Sequence, residues 1–299
     1  MWGSSPTDVW GVAGDGASPS DALWHFDGNA WRRATAGTIF TNWTGNRFVY
    51  DIWGTSHSSI WAVGRLLTGN DSLTAMIVHF DGNTWQDVTP PTVAAIHGHL
   101  YTMTGLAADD IWAGGYEYAV HYDGTSWQTF LVADSMIVAS ITGSANHIYA
   151  AAYSPWGRNA LQLYRLIGDH FALTDQTTLY HSKFGKTLWL RNNRLLAMGY
   201  GIYSTELLQD GSVDTAAWHL EFDTGTKGIA TAFVQSMDNA FAIGSVYLVC
   251  HFNGRNWQEI DIRVPNDPGN ILSSLFAGWT DGSEVFVANG HDGIIYHGR

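Results

Sequence analysis

Four histidines occupy the same place in a repeated stretch of sequence, each directly before an aromatic residue, an Asp or Asn, and a Gly. They are His25, His79, His121 and His251. Histidines that come together in space bind transition metals through their ring nitrogens. Because these four belong to four separate copies of a repeat, we expect them to lie far apart and to pack or hydrogen-bond within their own copies. The pattern therefore predicts no metal site, and nothing in the sequence implies a cofactor.

Carboxylates recur as well, and the first three copies each carry an Asp-Gly pair. Asp27, Asp81 and Asp123 are followed directly by Gly, which is the strongest short-range signal for a tight β-hairpin turn. We interpret these carboxylates as turn residues. The sequence contains no phosphate-binding loop, no nucleophile elbow and no His-Glu-x-x-His zinc motif. It also offers no close pair of carboxylates that would indicate glycoside hydrolysis. We therefore predict no catalytic residue.

The elements that must position these residues are short strands in a long repeat. Each copy reads as an apolar strand, a turn, a second strand such as Asp110-Ile111-Trp112, a third strand ending in His-aromatic-Asp-Gly, and a fourth strand starting at a Trp. The turn after the first strand falls at Gly3, Gly54, Gly105, Gly143, Arg191, Ser236 and Trp279. The period is about 46 residues, between those of the WD40 and kelch repeats, which both form four-stranded propeller blades.

The repeat predicts an all-β protein, a seven-bladed β-propeller of four-stranded antiparallel blades forming a single domain over residues 1–299. The blades are expected at about residues 1–35, 46–89, 99–130, 136–177, 184–218, 228–262 and 271–299. The seventh copy shows three strands, so we expect the last blade to be incomplete. Few segments carry apolar residues at the helical period over several turns, and none of them indicates a convincing helix.

Aromatic residues dominate the predicted core. The chain contains 15 Trp, 13 Tyr and 13 Phe, and burying one such side chain contributes roughly 1.5–3 kcal/mol. We expect the Trp of the second strands (Trp10, Trp61 and Trp112) to be core residues and the Trp of the fourth strands to cover blade edges. The single cysteine, Cys250, excludes an intrachain disulfide and is interpreted as a small buried apolar residue.

Charge excludes some partner classes. The chain has 14 basic and 27 acidic residues and a net charge of −13. A nucleic-acid surface needs clustered Lys and Arg, which the sequence lacks. No apolar stretch approaches the length of a membrane span, so we expect no membrane insertion. The sequence leaves the oligomeric state open.

Two copies carry a resemblance to known families. Asp8-Val9-Trp10-Gly11-Val12 and Ile60-Trp61-Ala62-Val63-Gly64, each followed by an aromatic-Asp-Gly turn and a Trp, resemble the repeats of bacterial β-propellers. The chain is similar to the tectonin-like and Ycf48-like groups and, more distantly, to WD40 and kelch proteins. This resemblance implies a binding or assembly scaffold, with lectin activity among the tectonin-like members. It also favours an exported protein (periplasmic, surface-bound or secreted) over a cytoplasmic one.

Loop lengths predict which face of the propeller binds. The turns between first and second strands are short and alike, whereas the second-to-third loops and the links between blades vary, and these two classes share one face. We expect ligand contacts on this variable-loop face, around the central channel. The candidate residues are Trp43, His97, His99, Tyr101, Tyr116, Glu117, Tyr118, Trp156, Arg158, Asn159, His181, Tyr200, Tyr203, His291 and Asp292.

Three functions are compatible with such a face. We favour a non-enzymatic scaffold for a protein partner, because Tyr, Trp and Arg are the residue types that dominate interface energetics. The alternative is a carbohydrate-binding propeller, suggested by Trp43 and Trp156 beside Asn and Arg side chains. The third is a glycoside hydrolase or lyase acting at the channel mouth. Its candidate residues are Asp51, Glu117, His291 and Asp292.

Overall fold

The computed structural model describes residues 1–12, 23–34, 46–67, 72–96, 98–155, 161–177, 187–262, 274–289 and 294–298, and all structural statements below concern these residues. Seven antiparallel sheets follow one another along the chain, and in each sheet the strands are ordered as in the sequence. Six sheets have four strands and the seventh has three. The sheets confirm the predicted fold class, including the incomplete last blade. None of the described helices is long and apolar enough to cross a membrane.

The first three sheets are formed by strands β1 to β12. The first contains β1 (Trp2–Ser5), β2 (Asp8–Val12), β3 (Leu23–Phe26) and β4 (Trp31–Arg33). The second contains β5 (Asn46–Ser56), β6 (Ser59–Leu67), β7 (Leu73–Phe80) and β8 (Trp85–Asp87). A short helix, α1 (Pro91–Ala94), follows it. The third contains β9 (Leu100–Ala107), β10 (Asp110–Gly115), β11 (Tyr118–Tyr122) and β12 (Trp127–Leu131).

The other four sheets are formed by strands β13 to β27. The fourth contains β13 (Ile137–Ser144), β14 (His147–Tyr153), β15 (Leu161–Ile167) and β16 (His170–Thr177). The fifth contains β17 (Thr187–Arg191), β18 (Arg194–Gly199), β19 (Gly201–Glu206) and β20 (His219–Phe222). The sixth contains β21 (Ile229–Ser236), β22 (Asn239–Gly244), β23 (Val249–Phe252) and β24 (Trp257–Glu259). The seventh contains β25 (Leu275–Thr280), β26 (Val285–Asn289) and β27 (Ile295–Gly298).

The chain divides into two compact units. The first comprises residues 1–141 and 166–172, and the second comprises residues 142–165 and 173–299. The division falls within the fourth sheet, so the first unit contains the first three sheets and the second unit contains the last three. The expectation of one continuous domain stays a prediction.

One blade boundary and one helix differ from the sequence-based expectation. The fifth sheet extends past residue 218, where the fifth copy was expected to end, because its outermost strand is β20. The short helix α1 was not expected. It begins directly after Pro90 with Pro91 at its first turn, a position that tolerates proline because the N–H there has no partner within the helix.

In five of the seven sheets a histidine connects neighbouring strands of its own sheet, as predicted for the repeated histidines. In the first sheet His25 Nε2 lies 2.7 Å from Asp8 Oδ1, and its ring stacks on Trp10 at 4.3 Å between centroids. Trp10 Nε1 donates to the same carboxylate at 3.1 Å. The equivalent His pairs are Ser59–His79 at 3.2 Å, Asp110–His121 at 2.9 Å, Asn239–His251 at 2.8 Å and Glu284–His297 at 2.5 Å. The histidine position is thus a hydrogen-bonding and packing device.

The Asp-Gly turns also behave as predicted. Asp27 Oδ1 accepts hydrogen bonds from the backbone N–H groups of Asn29 at 3.0 Å and Ala30 at 2.9 Å. These bonds favour the charged form and lower the pKa of Asp27 to about 2. Gly28 has a φ of 86°, the left-handed conformation that glycine adopts without strain.

Candidate functional site

A cluster of one arginine and four ring side chains lies at one end of the second and third sheets, within the first unit. We call Phe48, Tyr50, Arg65, His99 and Tyr101 the arginine–aromatic cluster; all five are partly buried. Phe48 lies in β5 and pairs with Arg65 in β6, while His99 directly precedes β9, in which Tyr101 lies. This is the end of the sheets from which the second-to-third loops emerge, the end where we predicted binding.

Two glycines let the first strands approach the second strands closely at this end. A Cβ atom on Gly64 would lie 1.8 Å from the backbone oxygen of Phe48, and one on Gly115 would lie 2.0 Å from the backbone oxygen of His99. No larger residue fits at either position without a shift of the backbone. The two glycines therefore fix where Phe48 and His99 lie.

β-Bulges direct the two tyrosines of the cluster. In β5 the register shifts between Val49 and Asp51, which leaves Tyr50 as the extra residue. In β9 the pairing shifts in the same way and leaves Tyr101 extra. A bulge bends the strand and redirects its side chain. The two rings meet at 5.1 Å between centroids, and each also contacts the His99 ring, at 5.6 Å from Tyr50 and 5.1 Å from Tyr101.

Arg65 is held by rings. Its guanidinium carbon lies 4.0 Å from the centroid of the Phe48 ring and 6.0 Å from that of Tyr50. Such cation–π contacts are worth about 0.5–2 kcal/mol, depending on how far the cation is desolvated. Arg65 Nη1 also lies 3.3 Å from His99 Nε2. Among the described residues, no carboxylate forms an ion pair with Arg65.

His99 is a neutral imidazole at physiological pH. Burial, followed by the neighbouring Arg65 cation, lowers the pKa of His99 from 6.5 to about 4. Because the arginine can only donate, His99 Nε2 must accept this hydrogen bond, and the ring proton must reside on Nδ1. Burial also raises the pKa of Tyr50, which therefore stays a protonated phenol.

Two buried donors of the cluster lack an acceptor in the described part of the chain. They are Arg65 Nε and His99 Nδ1. A buried donor without a partner costs about 1–3 kcal/mol, and such groups are rare in folded proteins. The cluster thus combines a cation, two donors without acceptors and aromatic surface. Chemically, it is suited to bind a group that brings a hydrogen-bond acceptor, such as a carboxylate or a backbone carbonyl.

The loop after β10 supports the cluster from the third sheet. The backbone N–H of Tyr116 donates to the His99 oxygen at 3.1 Å. Glu117 adopts a φ of 67°, its N–H donates to Met136 O at 2.7 Å, and its carboxylate accepts from Ser135 N at 2.8 Å. These bonds keep Glu117 in a backbone conformation that is costly for a non-glycine residue.

The structure places seven of the fifteen predicted site residues. His99 and Tyr101 belong to the arginine–aromatic cluster, and Tyr116 is bonded to His99 through the backbone. Glu117 and Tyr118 lie nearby in sequence, and Tyr118 packs against the core of the first unit. Tyr200 and Tyr203 belong to the second unit and are partly buried.

Eight predicted residues lie outside the described part of the chain. These are Trp43, His97, Trp156, Arg158, Asn159, His181, His291 and Asp292. They include both tryptophans that suggested carbohydrate binding. The assignment of all fifteen residues to a binding site stays a prediction.

Sequence reasoning missed Phe48, Tyr50 and Arg65. These residues lie in the extensions of β5 and β6, which are longer than the first and second strands of the other sheets. A signal was nevertheless available. Arg65 directly follows Gly64, as Tyr116 follows Gly115, so Arg65 occupies the repeat position at which Tyr116 was selected.

The carboxylates considered for catalysis are engaged by the backbone. Asp51 accepts from Ile52 N and Met103 N, each at 2.9 Å. Burial raises its pKa. Glu117 accepts from Ser135 N, so the two described carboxylates of the enzymatic alternative both have structural partners. The other two candidates, His291 and Asp292, lie outside the described residues.

The repeated four-stranded sheets make the protein a seven-bladed β-propeller that displays an arginine–aromatic cluster at a loop-bearing end. No protein-family model matches the chain, and no curated protein matches it.

Among solved structures, the chain is similar in fold to the Ycf48 propellers. It aligns with a structure described as YCF48 bound to D1 peptide, with 13% identity and a TM-score of 0.63 over 99% of this chain and 89% of that chain. It also aligns with YCF48 from Cyanidioschyzon merolae, with 11% identity and a TM-score of 0.62 over 98% of this chain and 92% of that chain. At these identities the likeness shows the fold alone.

Proposed function

We propose that the protein is a non-enzymatic scaffold that binds a protein partner, and that the arginine–aromatic cluster receives a hydrogen-bond acceptor of that partner. The proposal rests on one observation, the environment of the Arg65 guanidinium. Its guanidinium lies against Phe48, contacts neutral His99 and has no carboxylate partner among the described residues.

The chemistry of the cluster favours an oxygen acceptor. A guanidinium presents donors in a fixed fork that matches a carboxylate, and hydrogen bonds to charged groups are roughly twice as strong as neutral ones. The Arg65 guanidinium supplies the donors, since no carboxylate of the described residues pairs with it. Tyr50 and Tyr101 add rigid aromatic surface, and Tyr and Arg are enriched at the centres of protein interfaces.

The net charge of the chain indicates which charge its partner should carry. At a net charge of −13 the protein repels strongly acidic partners and attracts neutral or basic ones. We therefore expect an acceptor within a neutral or basic segment, such as a single Asp or Glu, a C-terminal carboxylate or a backbone carbonyl. An extended peptide is the expected form, since a protein of the same fold, Ycf48, is bound to a D1 peptide in one solved structure.

A peptide selection tests this proposal. Random heptapeptides displayed on phage are selected on the immobilised chain, and the selected sequences are synthesised and titrated by fluorescence anisotropy. Arg65→Gln should weaken their binding at least about tenfold, equivalent to about 1.4 kcal/mol. The matched control is Arg33→Gln, because Arg33 also lies over an aromatic ring, that of Trp24 at 5.4 Å, but outside the cluster.

Two results would contradict the proposal. In one, no peptide is selected from a library that yields binders for a control propeller. In the other, the selected peptides bind wild type, Arg65→Gln and Arg33→Gln with equal affinity, which would place the binding site elsewhere.

A further inference from the structure

A groove of about 530 Å³ lies between the first and second sheets, at the end where the first strands turn into the second strands. The first sheet lines it with Ser5 and Asp8, and the second sheet lines it with His57, Phe80 and Gly82. The arginine–aromatic cluster lies at the other end of these sheets. The groove is therefore independent of the site of the proposed function.

The fifth and sixth sheets show what an equivalent groove contains. Ser5 pairs with Asp8, the first residue of β2. In the fifth sheet Arg191 pairs with Arg194, the first residue of β18, so Arg191 occupies the position of Ser5. The guanidinium carbon of Arg191 lies 4.6 Å from the centroid of the Phe252 ring in the sixth sheet. A guanidinium from the fifth sheet therefore lies in this groove, against an aromatic ring of the sixth.

Hydrogen bonds hold the guanidinium of Arg191 in place. Its Nε atom donates to Met237 O at 2.6 Å. Its Nη2 atom donates to Asp238 Oδ1 at 3.1 Å and to Gly254 O at 3.5 Å. The groove thus supplies a ring face, two backbone carbonyls and a carboxylate, which together match a planar cation with several donors.

The second sheet presents the same ring and carbonyls to the first groove. Both sheets have an aromatic residue directly after the repeated His, a Gly two residues later, and a residue two places before the second strand. In the second sheet these are Phe80, Gly82 and His57, and in the sixth they are Phe252, Gly254 and Met237. The first groove therefore contains the groups that hold Arg191 except the carboxylate of Asp238, because Ser58 stands at that position.

The first sheet supplies a carboxylate to the groove instead. Asp8 Oδ1 accepts hydrogen bonds from His25 Nε2 at 2.7 Å and from Trp10 Nε1 at 3.1 Å, while Oδ2 accepts from the Ser4 hydroxyl. Burial raises the pKa of Asp8, but these hydrogen bonds outweigh burial and leave the pKa below its usual value. Asp8 is therefore charged at physiological pH. Since each carboxylate oxygen has about two acceptor positions, Oδ2 keeps one for a further donor.

The groove between the second and third sheets is closed in another way. There the ring after the repeated His is that of Tyr122, and its hydroxyl donates to Gly124 O at 2.9 Å. In the first groove the ring is that of Phe80, which has no hydroxyl, and Gly82 O accepts no hydrogen bond from any described residue. The first groove thus offers a ring and a carbonyl oxygen whose equivalents are engaged by Arg191 and Tyr122.

We propose that the groove between the first and second sheets binds an arginine side chain of a partner protein, with the guanidinium stacked on Phe80 and donating hydrogen bonds to Gly82 O and Asp8. The planar guanidinium contacts a ring, a carbonyl and a carboxylate at once, whereas the compact ammonium of a lysine does not. The net charge of −13 attracts a segment that carries such a cation.

An arginine within a separate chain fits the groove better than free arginine or a second copy. Free arginine would bring its own carboxylate close to Asp8. Two copies of a chain with a net charge of −13 repel each other. Ser4 and His57 are exposed at the mouth of the groove, so a side chain from another molecule can enter.

Capped arginine provides the probe. N-acetyl-L-arginine amide is titrated into the isotope-labelled chain, and NMR follows the indole N–H of Trp10, because this group donates to Asp8 and reports on its carboxylate. We expect a saturable shift with millimolar affinity, since a single side chain makes all the contacts. N-acetyl-L-citrulline amide has nearly the same shape without the charge. It should bind at least about tenfold more weakly, because it lacks the charge-assisted hydrogen bonds and the cation–π contact.

A matched pair of carboxylate variants tests the role of Asp8. Asp8→Asn removes the charge but keeps an acceptor for the repeated His, as Asn239 does for His251 in the sixth sheet at 2.8 Å. It should weaken binding of the arginine probe at least about fivefold. The control is Asp110→Asn in the third sheet, because Asp110 bonds to His121 in the same way at 2.9 Å but lies outside the groove. This control should bind the probe as wild type does.

Two further variants copy the other grooves. Phe80→Tyr adds the hydroxyl with which Tyr122 engages a glycine carbonyl, and it should weaken probe binding because that hydroxyl would occupy Gly82 O. Ser5→Arg copies Arg191 and should abolish binding, because a guanidinium of the chain itself would then occupy the groove. If Ser5→Arg does not fold, Phe80→Tyr and the citrulline comparison still test the same groove.

A capped pentapeptide, Gly-Gly-Arg-Gly-Gly, identifies the source of the arginine and should bind at least as tightly as the capped amino acid. Four outcomes would overturn the proposal. The first is absence of a saturable shift, or equal affinity for the arginine and citrulline probes. The second is unchanged affinity in both Asp8→Asn and Phe80→Tyr. The third is binding of the capped amino acid without binding of the pentapeptide, which would assign the groove to a small molecule. The fourth is a dimer in sedimentation velocity that the arginine probe dissociates, which would assign the groove to a second copy.

Discussion

Acidification should destabilise the protein through His99. The pKa of His99 is lowered from 6.5 to about 4 by burial and by Arg65. An unfolded chain therefore binds a proton at this ring below pH 6.5 that the folded chain does not bind until pH 4. The contribution of His99 to the free energy of unfolding is fully present above pH 6.5 and is lost as the pH falls from 6.5 toward 4. At pH 5 the shift corresponds to about 2 kcal/mol, which solvent screening of this partly exposed ring reduces to about 1–2 kcal/mol.

The assay compares urea unfolding at pH 7 and pH 5 for wild type and His99→Gln. Wild type should lose about 1–2 kcal/mol more than the variant between the two conditions. Wild type must be compared with His99→Gln because burial also lowers the pKa values of His79 and His251. These two histidines add to the loss of unfolding free energy at pH 5 in both wild type and variant. His170→Gln, which replaces an exposed imidazole, is the control and should retain the wild-type loss. Equal losses in wild type and His99→Gln, or an NMR titration of His99 near 6.5, would refute this account of the cluster.

Three further changes have defined expectations. Trp61→Ala should lower the free energy of unfolding by about 3–5 kcal/mol, because it leaves a cavity where a Trp only 8% exposed was packed. A thermal melt would show this loss, and an unchanged melting temperature would contradict the core assignment. Gly115→Ala should displace the His99 backbone, since the new Cβ would lie 2.0 Å from its oxygen, and NMR should then show the pKa of His99 moving toward 6.5. Asp81→Ala should lower the melting temperature, whereas Asp81→Asn should not. The reason is that Asn253 forms the same turn in the sixth sheet, where its side-chain oxygen accepts backbone hydrogen bonds of 3.1 and 3.0 Å. An equal decrease in melting temperature in both variants would show that the turn needs the negative charge.

The repeat made the architecture predictable. Strand starts at Trp31, Trp85, Trp127 and Trp257, the Asp-Gly turns and the role of the histidines all followed from residues that recur at equivalent positions. Each recurring residue performs the same local task in its own sheet, such as closing a turn or covering an edge. Because this task depends on neighbours within the same copy, comparing copies was sufficient to infer it.

The candidate site was less predictable because it depends on departures from the repeat. Tyr50 and Tyr101 meet only because both first strands carry a bulge, and nothing in the local sequence pattern required one there. Arg65 lies in a strand only because β6 is longer than the second strands of the other sheets. Contacts between copies, such as that of Arg65 with His99, depend on how successive sheets pack and cannot be read from one copy.

One repeat position nevertheless connects fold and function. The glycine that closes the second strand allows the first strand to approach, at Gly64, Gly115 and Gly244, and forbids a side chain there. The next residue lies beyond this constraint and has no shared packing task. It is correspondingly different from copy to copy: Arg65 in the second sheet, Tyr116 in the third, Tyr200 in the fifth and Ser245 in the sixth. A residue without a task common to all sheets can differ from copy to copy, so this position is where binding chemistry can vary while the glycine beside it keeps the sheet intact.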